Sequence, residues 1–391
     1  MKKNALRIPF HKPSFDQSEI DEVVDTLKSG WITTGEKTHR FEEEFARYVG
    51  AKHAIGLNSC TAALHLALEA MNLSEGEEVI TVPFTFVATT EVILYCRAKP
   101  VFVDCHPGNF NIMADRIEEK ITKRTRAILP VHFAGQPCEM DKILAVAKKH
   151  GLKVIEDAAH SFPASYKGKM IGSIGDMTCF SFYATKTLST GEGGMMTTDC
   201  AEYAEKARLL SLHGMTRDAW DRYKKPSAWQ YRVVALGRKY NLSDLQSSIG
   251  IHQLRKADLF LERRRAIARR YNEILGKCPF LETPKVERFE EHAWHLYVIK
   301  LKIEDLQITR DDFVREMESR GIGTSVHFIP LTEHPYYKEA LRLKSQDYPN
   351  AADCYKRIVS LPIYPSMTGD EVEYVTQSVA EILQKGRRAA S

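Results

Sequence analysis

The chain has 391 residues, 43% of them hydrophobic and 27% charged, with a formal net charge of +4. This balance excludes a disordered or fibrous chain and allows one large core with a smaller one beside it. So mild a charge argues against nucleic acid as the partner. No apolar stretch reaches the length of a membrane span, so no membrane insertion is expected.

From the N-terminus, MKKNALRIPFHKPSF lacks the apolar centre of a signal peptide, and a cytoplasmic protein is expected. Residues 14–29 predict a helix with Ile20, Val23, Val24 and Leu27 on one face, and residues 37–48 a second with Phe41 and Phe45 together. Strand and helix then alternate. Strands are expected at 54–57, 78–82, 101–104, 126–131 and 153–156. Helices are expected at 61–71, 86–95, 114–121 and 140–150. Such alternation predicts an α/β fold with a mainly parallel sheet flanked by helices, whose ligands bind beyond the carboxyl ends of the strands. Two more strands, 178–182 and 195–198, flank a glycine-rich turn, and residues 201–213 read as a helix. Residues 216–238, with Trp220, Tyr223, Trp229 and Tyr231, read as a long polar-aromatic loop. A helix-rich stretch covers 242–274. Then come strands at 294–301 and 324–329 and helices at 310–320 and 369–383. The change of pattern divides the chain into a large domain, 1–259, and a smaller α+β domain, 260–391. The eight cysteines are scattered, with no CxxC pair and no zinc-like spacing, so free thiols and no metal are expected.

Chemistry gathers at the predicted strand ends. Lys186 lies in SFYATKTLSTGEGGM (181–195), just after an apolar run. An amine held on a turn close to the core loses solvation, its pKa falls, and it becomes free to form a Schiff base. Asn58, Ser59, Cys60 and Thr61 stand between a strand and a helix, where a helix N-terminus offers an anion site or a plain cap. Asp157 follows the apolar Val154 and Ile155, and there it can hold a ring N–H or cap a helix. His160 supports Asp157 or a substrate, or is a satisfied polar neighbour. Phe84 and Phe86 follow the strand ending at Val82, and an aromatic there stacks on a flat ring or packs in the core. With Ser181, these residues supply an anion cradle, a stacking ring, an acid and an amine. Those are the functions that pyridoxal 5′-phosphate requires. No GxGxxG, P-loop or GxSxG pattern occurs to support a nicotinamide, P-loop or α/β-hydrolase reading.

The motifs carry a resemblance over nearly the whole chain. SGWITTG (29–35), NSCTAAL (58–64), PFTFVAT (83–89), PVHFAGQP (130–137), VIEDAAHS (154–161), YNLSDLQ (240–246), HAWHLYVI (292–299) and GIGTSVHFIPL (321–331), with the Lys186 segment, resemble the DegT/DnrJ/StrS sugar aminotransferases. The resemblance implies a fold-type I pyridoxal-phosphate enzyme that moves an amino group from L-glutamate to a keto-sugar nucleotide, with sites shared across a homodimer. It implies Lys186 as the Schiff-base lysine and Asp157 as partner of the pyridinium nitrogen. By the same resemblance, Phe86 is expected to stack on the ring and Cys60, Thr61 and Ser181 to hold the phosphate, with His160 beside the cofactor. Asn241 is assigned to the phosphate of the neighbouring subunit, and His327 and Thr33 to the sugar nucleotide. Cys60 departs from the commoner glycine, alanine or serine. Within the family the motifs look most similar to the enzyme making UDP-4-amino-4-deoxy-L-arabinose, which implies a UDP-4-keto sugar; dTDP-linked and 3-keto sugars are the alternatives. A sugar dehydratase of the same family carries histidine in place of the lysine. A non-catalytic regulator, the reading from another class, needs a DNA-binding module, which is not expected here.

Overall fold

The computed structural model describes residues 7–216, 231–287 and 290–388. Trp220, Tyr223 and Trp229 of the expected polar-aromatic loop therefore lie outside the described residues.

Two helices open the chain, α1 (Gln17–Ser29) and α2 (Glu36–Val49). The alternating part follows: β1 (His53–Leu57), α3 (Cys60–Ala70), β2 (Glu78–Thr81), α4 (Ala88–Tyr95), β3 (Lys99–Phe102), β4 (Thr125–Ile128), α5 (Met140–His150) and β5 (Lys153–Asp157). After the short β6 (Ser165–Tyr166) and β7 (Lys169–Met170) come β8 (Met177–Ser181), β9 (Gly194–Thr198) and α6 (Ala201–Ser211).

Seven strands form one sheet in the order β1-β9-β8-β5-β4-β2-β3. All run parallel except β9, which is antiparallel to both β1 and β8. Strand residues alternate between two cores, as a sheet covered on both faces requires. Val154, Phe180 and Met195 enter the core that holds Phe41 and Phe45, while Ile155, Cys179 and Met196 enter the one packed with α3.

Helices α7 (Asp244–Arg255) and α8 (Ala257–Leu275) lead to a three-stranded antiparallel sheet, β10 (Leu281–Glu282), β12 (Tyr297–Leu301) and β13 (Ile358–Leu361). Its core joins Tyr271, Phe313 and Val375 from α8, α9 (Arg310–Ser319) and α12 (Gly369–Lys385). Ile8 enters the same core and pairs with Ile322. Helices α10 (Pro335–Ala340) and α11 (Pro349–Arg357) lie between, and β11 (Glu290–Glu291) pairs with β6.

Three expectations are corrected. Residues 114–121 form two 3-10 turns, Ala114–Arg116 and Glu118–Lys120, rather than an α-helix. Only Ala114 and Ile117 are buried there, a spacing of three that a 3-10 turn places on one side. Residues 324–329 are not a strand: Ser325 bridges Ser360, and the chain then turns to bring His327 and Phe328 over the sheet edge. Helix α1 turns Ile20, Val24 and Leu27 outward, because its inner side is polar. Glu19 meets Lys256 and Gln253, and Glu22 meets Lys37, Arg40 and His252.

Candidate active site

Strands β1, β2, β5 and β8 all point their carboxyl ends at one edge of the sheet, and β9 starts there, with Gly194 opposite both Leu57 and Ser181. Residues at or just past those ends line a cavity of about 390 Å³: Cys60, Thr61, Phe86, Asp157, His160, Ser181 and Lys186, with His327 from the 326–329 turn. The topology thus gathers eight of the ten site residues named from the sequence.

Lys186 sits in the β8–β9 connection, where its backbone N–H donates to the Tyr183 carbonyl at 2.8 Å and Thr190 N–H donates to Phe182 O at 2.9 Å. Burial lowers its pKa from 10.5 to about 8, against the opposing influence of Cys60 and Asp157. A larger fraction of such an amine is unprotonated at neutral pH than of a surface lysine.

Asp157 is the last residue of β5 and is 5% exposed. Its Oδ2 accepts from the Thr89 hydroxyl at 2.8 Å and its Oδ1 from Ala159 N–H at 3.2 Å. Since Thr89 gives its one proton to Asp157, the 2.8 Å contact between Thr85 and Thr89 has Thr85 as donor. Burial raises the Asp157 pKa, and these hydrogen bonds and Lys186 oppose the rise.

Ser59 caps α3, its hydroxyl accepting Ala62 N–H at 3.1 Å. Cys60 and Thr61 are the first residues of the helix, so their N–H groups belong to the unpaired first turn. The Cys60 thiol donates to Cys179 O at 3.4 Å, and burial raises its pKa well above the usual range, so it is a thiol and not a nucleophilic thiolate. A Cβ on Gly194 would stand 2.4 Å from Ser59 C, so only glycine lets β9 pass so close to this turn. Ser181 ends β8, its hydroxyl accepting Tyr183 N–H at 3.4 Å. Phe86 is 58% exposed at the cavity, 6.1 Å from the Phe328 ring.

One wall is built from histidines. His160 lies 4.5 Å from His295 and stacks on Phe328 at 5.5 Å, and His327 stacks on Phe10 at 5.6 Å. His160 Nδ1 accepts from Ala134 N–H at 3.3 Å, which puts the proton of the neutral ring on Nε2. His327 Nδ1 shares a 2.9 Å hydrogen bond with Ser360 Oγ. Burial first, and the Lys186 cation second, lower His160 and His295 well below 6.5 and His327 to about 4. All three are neutral at pH 7.

Asn241 and Thr33 do not line the cavity. Each instead holds a neighbour of the other: Asn241 Nδ2 donates to Thr34 Oγ1 at 2.7 Å, and Thr33 O accepts Asp244 N–H at 3.1 Å. Sequence reasoning missed Thr89, His295 and Phe10. The first two lie inside the motifs PFTFVAT and HAWHLYVI, whereas Phe10 gave no signal, because its place depends on Ile8 pairing with a residue more than 300 positions away.

Every function that pyridoxal phosphate needs has a residue of fitting chemistry at this edge. A depressed amine, a held carboxylate, a helix N-terminus reached by a close glycine and an exposed ring all face one cavity. Fold and site define the class, a fold-type I aminotransferase with pyridoxal 5′-phosphate as cofactor. The model of the DegT/DnrJ/EryC1/StrS aminotransferase family matches residues 13–380, and the chain belongs to that family. It is 53% identical over 380 residues to the uncharacterized protein MJ1066 of Methanocaldococcus jannaschii, covering 97% of this chain and 98% of that one. It is 50% identical over 378 residues to the spore coat polysaccharide biosynthesis protein SpsC of Bacillus subtilis, covering 96% and 97%. Among solved structures, Helicobacter pylori PseC, an aminotransferase involved in the biosynthesis of pseudoaminic acid, superposes with a TM-score of 0.90 at 28% identity, covering 97% of this chain and all of that one.

Proposed function

We propose that this enzyme transfers the amino group of L-glutamate to the keto carbon of a sugar nucleotide, a UDP-4-keto sugar, in the making of a cell-surface polysaccharide or lipopolysaccharide. The observation that carries the proposal is Lys186, an amine lowered to about 8 and facing the same cavity as the held carboxylate of Asp157. The spore-coat polysaccharide role printed for SpsC and the pseudoaminic acid role printed for PseC support a surface sugar as the acceptor.

Bound pyridoxal phosphate supplies an aldehyde that carries nitrogen and a ring that accepts an electron pair. The chain's own residues do the rest. Lys186 Nζ would hold the aldehyde carbon, and its free amine would pass the proton of the donor Cα to the cofactor carbon that carries the nitrogen. In the second half-reaction the same amine would move a proton from that carbon to the sugar carbon that receives nitrogen. Asp157 would hold the ring N–H and Phe86 would cover the ring. The N–H groups of Cys60 and Thr61, with the Ser181 hydroxyl, hold the phosphate, and His160 stands neutral beside the ring. His327 and Thr33 contact the sugar nucleotide, and Asn241 serves the phosphate in a neighbouring subunit of a homodimer. Exposed apolar side chains support such a dimer: Val233, Val234 and Leu236 lie after the 217–230 stretch, and Phe86 lies at the cavity. The proposal includes a cytoplasmic location and a division at 259/260. No helix among the described residues is long and apolar enough to cross a membrane.

Borohydride reduction of the holoenzyme tests the chemistry: cofactor mass is expected on the peptide containing Lys186, and label on another lysine refutes the role. Single-turnover reaction of the pyridoxamine form with a panel of keto-sugar nucleotides tests the acceptor. No reaction with any UDP-4-keto sugar overturns that part, and turnover of a dTDP-linked or 3-keto sugar replaces it.

A further inference from the structure

Behind the histidine wall lies a buried arginine with no carboxylate paired to it among the described residues. Arg264, on α8, is 1% exposed and forms no ion pair among the described residues. Its Nη1 donates to the carbonyls of Trp294 at 3.2 Å and Ile363 at 2.8 Å, while its Nε has no partner among the described residues. Two histidines nearby share the deficit. His295, 6% exposed and lining the cavity, leaves Nδ1 unpartnered, and so does His11 at Nε2, one residue after the cavity-lining Phe10.

The charge of Arg264 reaches both rings: after burial it helps to lower His11 to about 4, and after burial, Lys186 and His160 it helps to lower His295 well below 6.5. Burial lowers Arg264 itself to about 9, so it stays charged at neutral pH. Buried polar atoms nearly always find partners, and a buried cation without a counter-charge is costly. Three unpaired atoms in one neighbourhood, beside a wall whose histidines stay neutral, lack one thing in common, an anion. The helix N-terminus at Cys60 and Thr61 offers a second, separate anion site, which the proposed function gives to the cofactor phosphate.

We infer that His295, with Arg264 and His11 behind it, forms the subsite for a carboxylate of the amino donor and of the 2-oxo acid it becomes. The inference rests on the aminotransferase reading above. His295 touches the carboxylate with a neutral ring N–H, and Arg264 is a positioning residue that supplies the positive field and orients the loop through Trp294 O. A planar carboxylate suits this arrangement because it takes charge-assisted hydrogen bonds along fixed directions.

Calorimetric titration of the pyridoxamine form with 2-oxoglutarate, alongside steady-state kinetics, tests the subsite. His295→Asn and Arg264→Met are each expected to weaken 2-oxoglutarate and raise KM for L-glutamate by about 10- to 100-fold, the range for a hydrogen bond to a charged group. KM for the sugar nucleotide is expected to stay unchanged, and Arg264→Lys is expected to recover part of the loss. Circular dichroism and melting establish that each variant is folded, and His295→Asn decides the matter if Arg264→Met is not. Unchanged 2-oxoglutarate affinity in a folded variant overturns the inference. So does an equal loss of sugar-nucleotide affinity, which would assign the subsite to the pyrophosphate. A wild-type enzyme that aminates a sugar while glutarate fails to compete with L-glutamate overturns the inference alone and leaves the function standing.

Discussion

Thr89 has one hydroxyl proton and gives it to Asp157, a carboxylate whose pKa burial has already raised. Thr89→Val keeps the shape and removes the donor. The cost of a lost hydrogen bond to a buried charge is about 1–3 kcal/mol, so cofactor affinity is expected to fall by about 5- to 100-fold. Fluorescence titration of the cofactor-free protein with pyridoxal phosphate measures this, with Thr89→Ser expected to stay near wild type. Lys186 gives a second prediction for the cofactor-free protein. The folded amine releases its proton near 8 and the unfolded one near 10.5, so between these values the unfolded chain holds more protons and stability rises with pH. Lys186→Met, which has no charge to bury, is expected to be more stable than wild type at pH 7, and the gap is expected to close as pH approaches 10.5. Urea unfolding at a series of pH values reads the gap, and a constant difference refutes the desolvated amine.

The elements meet the site through two close approaches. Strand β9 runs against its neighbours and brings Gly194 to the turn that starts α3, where an added Cβ would overlap the backbone of Ser59 and Cys60. Gly194→Ala is expected to force strand and helix apart, costing about 1–3 kcal/mol in stability and weakening pyridoxal phosphate, since the same turn carries the Cys60 and Thr61 N–H groups. Denaturant unfolding and cofactor titration check the two effects, and a cofactor loss with no stability change would contradict this account. Helix α1 shows why an element's pattern does not give its orientation. Its apolar spacing predicts the helix, yet the inner side is set by Glu19 and Glu22 meeting Lys256, Lys37 and Arg40, which lie outside α1.

At the scale of the molecule, burial lowers the pKa of six histidines, His65 among them. His292 is lowered to about 3, His11 and His327 to about 4, and His160 and His295 well below 6.5. Unfolding lets each take a proton near 6.5, so the unfolded state binds more protons in acid. Stability is expected to be full above 6.5 and to fall steeply as pH drops from 6.5 toward 4. His327→Asn and His292→Asn are each expected to flatten that slope. Melting temperatures from pH 7.5 to 4.5 test it, and a slope unchanged in both variants refutes the histidine origin.

Local pattern was enough for much of this protein. The alternation of short apolar runs with amphipathic stretches determined the α/β class and, within a few residues, most strand and helix positions, because each depends on residues close in sequence. The same reading placed Thr61, Phe86, Asp157, Ser181 and Lys186 at strand ends, since strands that run parallel must all finish at one edge. Only the tertiary structure decided the rest. It put β9 antiparallel between β1 and β8, turned 326–329 away from a strand so that His327 reaches the cavity, and brought Phe10 to the same cavity. It left Thr33 and Asn241 outside the cavity within one chain, and it buried Arg264 behind His295 with no counter-charge among the described residues. Each of those features depends on contacts between residues far apart in the chain, and such contacts leave no periodic trace in the sequence.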